Sequence, residues 1–415
     1  MALRDTHAGA SFSPHPRTLP DRQPSALSHP RPAFDLVCLS HLRWHFVYQR
    51  PQHLLSRYAR AHRVFFIEEP LLTDGEAYLD IQTPEPNLWV VTPYLSEGIT
   101  DIAAVSFQTR LLADLIRDYG ITNYVLWYYT PMAMAFTRHL TPRVTVYDCM
   151  DELSAFDGAS PIMRQCEAEL FARADLVFTG GQSLYEAKRG QHPQVFAFPS
   201  SVDVPHFARA RYPQQPDPPD QHAIPHPRLG YFGVIDERMD LALLDGLATA
   251  RPDWHLVMIG PTAKIEDAAL PRRPNIHYLG MKAYAELPAY LAGWDVALLP
   301  FAINDATRFI SPTKTPEYLA AGKPVVSTPI RDVVRPYGEA GVVRIADTTD
   351  AFIAAVEEAL REDPAARIAC ADTMLTQMSW DRTWSEMTRH IEDVFVAKRP
   401  QITAATSAAA AAATD

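Results

Sequence analysis

The sequence predicts an α/β protein made of two Rossmann-like halves that face each other across a cleft. Three observations predict it. The chain has 415 residues, more than one ordinary core holds. Short apolar runs alternate with helical patterns in two separate series. Between the two series, seven prolines fall within Pro205–Pro227.

The first series opens with the apolar run Phe34–Ser40, a helical pattern over Pro51–Arg60 and the run Arg63–Glu68. Pro51 suits a first helical turn, where its missing N–H would be unpaired anyway. Strand, helix, strand at this spacing is a βαβ unit, which implies parallel strands covered on both faces. Runs at Trp89–Tyr94, Asn123–Tyr129, Val144–Asp148, Leu176–Thr179 and Val195–Phe198 continue the pattern. Helical stretches such as Phe107–Tyr119 and Ile162–Ala172 separate them. The first domain is thus expected over residues 33–204. Residues 205–227, centred on Asp217-Pro-Pro-Asp220, offer few N–H donors and read as a semi-rigid linker.

The second series has runs at Arg228–Gly233, Trp254–Gly260, Ile276–Gly280, Asp295–Pro300 and Pro324–Thr328. Helical patterns intervene at Leu241–Thr249, Ala283–Leu291 and Ala351–Leu360, and the chain reads as helical from Pro364 through Val396. A second domain is expected over 228–378 and a terminal helix over 379–397. Residues 1–32 and 398–415, the latter carrying the alanine run Ala408–Ala413, read as a disordered leader and tail.

Composition removes several function classes. A net charge of −11 argues against a protein that coats nucleic acid. No apolar run reaches 18 residues, so nothing reads as a membrane span. Met1–Pro32 lacks the apolar core of a secretory signal. Cys38, Cys149, Cys166 and Cys370 lie far apart without metal-ligand or redox spacing, and three of them sit in apolar surroundings that fit packing thiols in a reducing compartment. A cytoplasmic protein is expected, with the inner membrane face as a possible place of work.

Phosphate-binding signatures are missing: no strand precedes G-x-G-x-x-G, and no G-x-x-x-x-G-K-[ST] occurs. The informative stretch runs from Ile310 to Thr328. Thr315 suits an N-cap, Pro316 a first helical position, Glu317 the first turn and Gly322 the stop. Such a short helix can turn unpaired N–H groups toward a diphosphate, with Lys314 adding charge and Glu317 accepting from a ribose diol. A capped surface helix is the alternative reading.

This stretch resembles the donor-binding motif of the large GT-B family of bacterial mannosyl- and glucosyltransferases, P-x-K-x-x-E-[YA]-x-A-x-G-x-P-V-V. Pro312, Lys314, Glu317, Tyr318, Ala320, Gly322, Pro324, Val325 and Val326 match it. Pro199–Asp203 with Phe207, Gly230–Gly233, Ile276–Gly280 and Ser379–Asp381 resemble further family segments in the same order. The resemblance implies a GT-B fold whose last helix crosses back to the first domain. It also implies donor contacts at Gly233, Tyr278, Thr313, Lys314 and Glu317, with Arg238 and Lys314 stabilising the leaving diphosphate. The implied substrate is a UDP- or GDP-sugar, used with retention and without metal or resident cofactor. The implied acceptor is a glycan or lipid-linked molecule. Departures are also visible: Phe309 stands where the family has a second glutamate, with Asn304 or Asp305 as nearby substitutes. The first glycine-rich loop is replaced by Ser40–His53.

In the first domain, Asp148 and Asp151 follow an expected strand and are candidates to orient the acceptor or line the sugar, or else turn and cap residues. His41, Arg43, His45 and Arg50 crowd the first βα loop as acceptor or phosphate contacts, or as solvated surface. Trp127–Tyr129 offers either a stacking platform or core. Arg57, Arg60 and Arg63, beside Leu54, Leu55 and Tyr58, form either an ordinary face or a weak contact for anionic lipid. Two other functions share this frame: a nucleotide-sugar 2-epimerase, and a non-catalytic GT-B-like scaffold motivated by Phe309.

Overall fold

The computed structural model describes residues 34–212 and 214–398. The expected leader, and the tail beyond Lys398, lie outside the described residues. Within them the chain forms two sheets.

The first sheet contains β1 (Asp35–Ser40), β2 (Val64–Glu68), β3 (Leu71–Thr73), β4 (Tyr78–Glu85), β5 (Leu88–Ser96), β6 (Tyr124–Tyr128), β7 (Val144–Cys149), β8 (Leu176–Thr179) and β9 (Val195–Ala197). Its order is β3-β5-β2-β1-β6-β7-β8-β9, with β4 paired to β5. The central strands are buried along their length, as near-continuous apolar runs require when helices cover both faces. Separate apolar clusters fill the two sides, one around Leu36, Cys38 and Trp127 and the other around Val37, Leu39 and Leu126.

The second sheet contains β10 (Arg228–Phe232), β11 (His255–Ile259), β12 (Ile276–Gly280), β13 (Val296–Leu299), β14 (Val325–Ser327) and β15 (Val343–Ile345), in the order β12-β11-β10-β13-β14-β15. All its pairings are parallel. Counted from its own first strand this is the order 3-2-1-4-5-6 of a doubly wound sheet, whose strand order reverses beside β10.

Besides the three-residue edge strand β3, three elements depart from the sequence expectation. β4 is antiparallel to β5, joined through Pro86 and Asn87, the latter at φ 62°. Only its Leu79 and Ile81 pack on the core, so it is a half-covered edge strand whose apolar signal is weak. β15 is three residues long and carries Arg344, below what an apolar-run search detects. The expected linker is folded. It holds helices Val204–Ala208 and Pro219–His222 and a 3₁₀ turn Arg209–Arg211. Arg211 donates to Ala320 O and Leu319 O and pairs with Asp372, while fully buried Gln221 donates to Asp217 and Tyr290 O. Side chains supply partners that proline withholds from the backbone.

The chain ends its described part with helix Trp380–Ala397, capped by Ser379 Oγ accepting from Arg382 N. Trp380, Met387, Ile391 and Phe395 enter the apolar cluster of the first domain. Each such buried side chain contributes about 1.5–3 kcal/mol, enough to hold the crossing. A second tie joins the domains: the Asp332 carboxylate accepts from Ser183 N at 3.0 Å.

Candidate functional site

The carboxyl ends of both sheets open onto one cleft of about 460 Å3. That volume is within the range of small-molecule sites. The second domain contributes Gly233 and Arg238 after β10, Gly260 after β11, Met281–Tyr284 after β12, Phe301 after β13, and Ile310–Lys314 with Glu317. The first domain contributes the Trp44–Arg50 loop after β1, Met150 and Asp151 after β7, Gly180 after β8 and Ser200 after β9.

Helix Lys314–Ala320 carries the key charges. Thr313 occupies its N-cap position in helical conformation and makes no side-chain cap bond, so the expected cap at Thr315 is wrong. Thr315 is fully buried with its hydroxyl unpartnered. The helix is set by packing instead: the Tyr318 hydroxyl accepts from Phe232 N at 3.0 Å, tying it to β10. Gly233, at φ 142°, leaves room for Lys314, whose Cε lies 2.3 Å from where a Cβ would stand. A side chain there would displace the lysine.

Lys314 and Glu317 share this wall without an ion pair between them or a side-chain hydrogen bond to other described residues. Burial pushes the Glu317 carboxyl up to about 8, against the opposing pull of Lys314. Burial pushes the Lys314 ammonium down, against the pull of Glu317. Arg238 is clamped by Asp236, donating Nε at 3.0 Å and Nη2 at 2.6 Å. Facing them from the first domain, Asp151 is raised by burial, while Arg238 and then Lys314 pull it down and Asp236 pushes it up. Two cations and three carboxyl groups therefore meet across the gap in low dielectric.

Other expected site residues fall elsewhere. Asp148 is fully buried and does not face the cleft, because both its oxygens accept from Arg50 at 2.9 and 3.0 Å. Arg50 also donates Nη1 to Phe198 O, so its edge on the cleft carries no uncommitted nitrogen. Arg43 binds Glu68 and Glu69 O away from the cleft lining. Burial drives His41 down to about 4, which leaves it neutral at physiological pH and unable to hold a phosphate by charge. His45 does line the cleft and is exposed. Tyr278 lies outside the lining, its hydroxyl donating to Pro271 O. The lining residues come just after it, at Met281–Tyr284. Trp127, Tyr128 and Tyr129 are core. Asn304 closes a turn with Thr307, Asp305 is exposed outside the lining, and Phe309 packs against the first domain's core. Arg57 and Arg60 pair with Asp381 and Arg63 with Asp35, which removes the expected basic face.

Sequence reasoning missed Asp236, Phe46, Tyr48 and Tyr284. Asp236 had a signal, two residues before Arg238 after the glycine turn. The aromatics had none, since only the folded cleft brings Tyr48 and Tyr284 to ring centroids 4.7 Å apart. The Tyr284 hydroxyl is buried without a partner beside this wall.

Residues 226–362 match the family model described as Glycosyl transferases group 1. A search of curated proteins finds a putative teichuronic acid biosynthesis glycosyltransferase, TuaH, of Bacillus subtilis (strain 168), 26% identical over 219 residues. The match covers 49% of this chain and 55% of that protein, so the chain spans about half the length of this relative. Among solved structures, the E. coli trehalose-6-phosphate protein bound with UDP-2-fluoro glucose superposes with TM-score 0.64 at 14% identity, over 87% of this chain and 99% of that one. Sucrose-phosphate synthase from Thermosynechococcus elongatus superposes with TM-score 0.66 at 12% identity, over 88% and 100%. These likenesses establish the GT-B fold. No helix among the described residues is long and apolar enough to cross a membrane.

Proposed function

We infer that this chain is a glycosyltransferase transferring a hexosyl group from a UDP- or GDP-sugar to a glycan or lipid-linked acceptor. The observation that carries it is the pair Lys314 and Glu317, desolvated on the cleft and facing Asp151. The group 1 domain match and the relative's name support this activity class. UDP-2-fluoro glucose in one structural neighbour supports a nucleotide-sugar donor.

In this reading Glu317 holds the donor ribose diol and Lys314 meets the diphosphate beside Gly233. The acceptor hydroxyl oxygen bonds to the sugar's anomeric carbon as the bond from that carbon to the diphosphate oxygen breaks. The hydroxyl proton leaves on the departing diphosphate, and the anomeric configuration is retained. Charge develops on the leaving group, so Lys314 and Arg238 stabilise it most where water is excluded. Asp151 orients the acceptor hydroxyl. The relative's name supports a role in surface polysaccharide assembly, and in this reading the reaction takes place on the cytoplasmic side.

A thermal-shift panel of UDP- and GDP-sugars, followed by nucleotide release, tests the reading. Stabilisation by one donor, abolished in Glu317→Ala, is expected. No donor shift in the intact chain, with Glu317→Ala indistinguishable from it, overturns the reading. Tight binding with no turnover against any acceptor favours a scaffold, and sugar interconversion without acceptor favours an epimerase.

A further inference from the structure

We propose that the first-domain wall of the cleft receives an uncharged carbohydrate ring, stacked on the loop that carries Phe46 and Tyr48, with a hydroxyl turned toward Asp151. This deepens the glycosyltransferase reading and rests on it.

Charge is the first argument. The residues of this wall that carry or can take a charge near neutral pH are His45, Arg50 and Asp151. Arg50 is neutralised by Asp148, and its remaining Nη1 is bound to Phe198 O at 2.6 Å. A phosphate or carboxylate arriving here meets the Asp151 carboxyl and a guanidinium that is 2% exposed and already neutralised by Asp148. Across the gap, Lys282 is tied to Asp220 at 2.6 Å. Lys314 and Arg238 lie across the gap on the side read as holding the diphosphate, and they already offset Asp151. An anionic acceptor end would have to be desolvated without a counter-charge, a cost of several kcal/mol. A neutral ring carries no such cost.

Shape is the second. Phe46 is 37% exposed and Tyr48 41% exposed, both on the cleft lining. Tyr48 leans one face on Tyr284 of the other domain. A pyranose ring offers an apolar face of weakly positive C–H groups, which complements the negative face of an aromatic ring.

Rigidity is the third. The loop is pinned from beneath by Glu68, which is 8% exposed. Its carboxylate accepts from Trp44 N at 2.7 Å, Arg43 Nη1 at 2.9 Å and the Thr92 hydroxyl at 2.9 Å. Gln52 Nε2 adds a bond to Trp44 O at 2.7 Å. Arg43 therefore serves as a brace under the platform, and the aromatics are held in place before any ligand arrives, which lowers the entropy cost of binding.

The test uses the full chain, loaded with whichever of UDP-glucose or GDP-mannose raises its melting temperature. Octyl glucoside and octyl mannoside are compared with glucose 6-phosphate, mannose 6-phosphate and glucuronic acid, reading both binding and nucleotide release. The neutral glycosides are expected to bind and accelerate release while the three anions do neither. Phe46→Ala is expected to raise the neutral acceptor's KM about threefold to tenfold, with donor affinity unchanged and Phe46→Trp restoring it. Preference for any of the anions overturns the proposal. So does a Phe46→Ala variant with unchanged acceptor KM, or failure of both octyl glycosides to bind the nucleotide-loaded chain. Absence of any nucleotide shift, with Glu317→Ala inert, is a different result: it removes the glycosyltransferase reading itself, and this proposal with it.

Discussion

The two walls of the cleft are built from similar sheets yet treat charge in opposite ways. On the first-domain wall the buried Arg50 and Asp148 satisfy one another, and aromatic rings take the exposed positions. On the second-domain wall Glu317 is buried and Lys314 half-buried, neither paired, and desolvation drives each toward its neutral form. A paired charge is structural, because its partner is already present. An unpaired, desolvated charge is a cost to the fold that a ligand relieves, so such groups mark function more often than stability. The contrast is the basis for proposing a charged ligand on one wall of the cleft and a neutral one on the other.

Four experiments break or sharpen the contrast. The largest effect is expected on the satisfied side. Arg50→Met strands the Asp148 carboxylate in the core and should cost about 3–5 kcal/mol of stability by denaturant unfolding. A loss under about 1 kcal/mol would mean the pair is not the structural element described. Next comes Lys314→Met, expected to weaken UDP or GDP binding by about 1.5–3 kcal/mol, roughly tenfold to a hundredfold, in calorimetric titration. The ligand-free protein should unfold no more easily, since a half-buried, unpaired cation has been removed; equal nucleotide affinity in both proteins would refute the role.

Glu317→Gln probes the same wall through pH. The folded carboxyl titrates near 8 against an ordinary 4.5, so the folded chain holds a proton that the unfolded chain releases. Its contribution is fully present below the ordinary value, and stability falls as pH rises through the window up to about 8. The variant should flatten that slope and melt above the parent at alkaline pH, while losing nucleotide affinity. Parallel melting curves across the window would show that Glu317 is not desolvated as described. The smallest effect is expected from Asp381→Asn, which removes exposed pairs with Arg57 and Arg60. Such pairs contribute about 0.2–1 kcal/mol and fade with salt, so a larger or salt-independent loss would give the crossing helix a different anchor from the apolar one.

Much of the frame was legible in the sequence, and for a stated reason. Strands buried on both faces must be apolar throughout, so β1, β2, β6, β7, β8 and the five leading strands of the second sheet announce themselves. Edge elements carry no such obligation, and β3, β4 and β15 went unread. The proline-rich stretch misled because proline predicts only what the backbone lacks, and Arg211 and Gln221 supply the missing bonds from side chains.

At the site the division follows the same logic. Local order determined the juxtaposition of Lys314 with Glu317, since a short helix fixes a spacing of three residues. The sequence by itself therefore pointed to the two-sheet α/β architecture and to the charged segment that lines the cleft. Only the tertiary structure decided which other ionisable groups are free. Asp148 near the end of β7 and Asp151 just beyond it are three residues apart, and the sequence around them does not say which one is free. Arg50, 98 positions before Asp148, closes on one and leaves the other facing the cleft. Desolvation and pairing depend on what arrives from elsewhere in the chain, and that is a property of the fold alone.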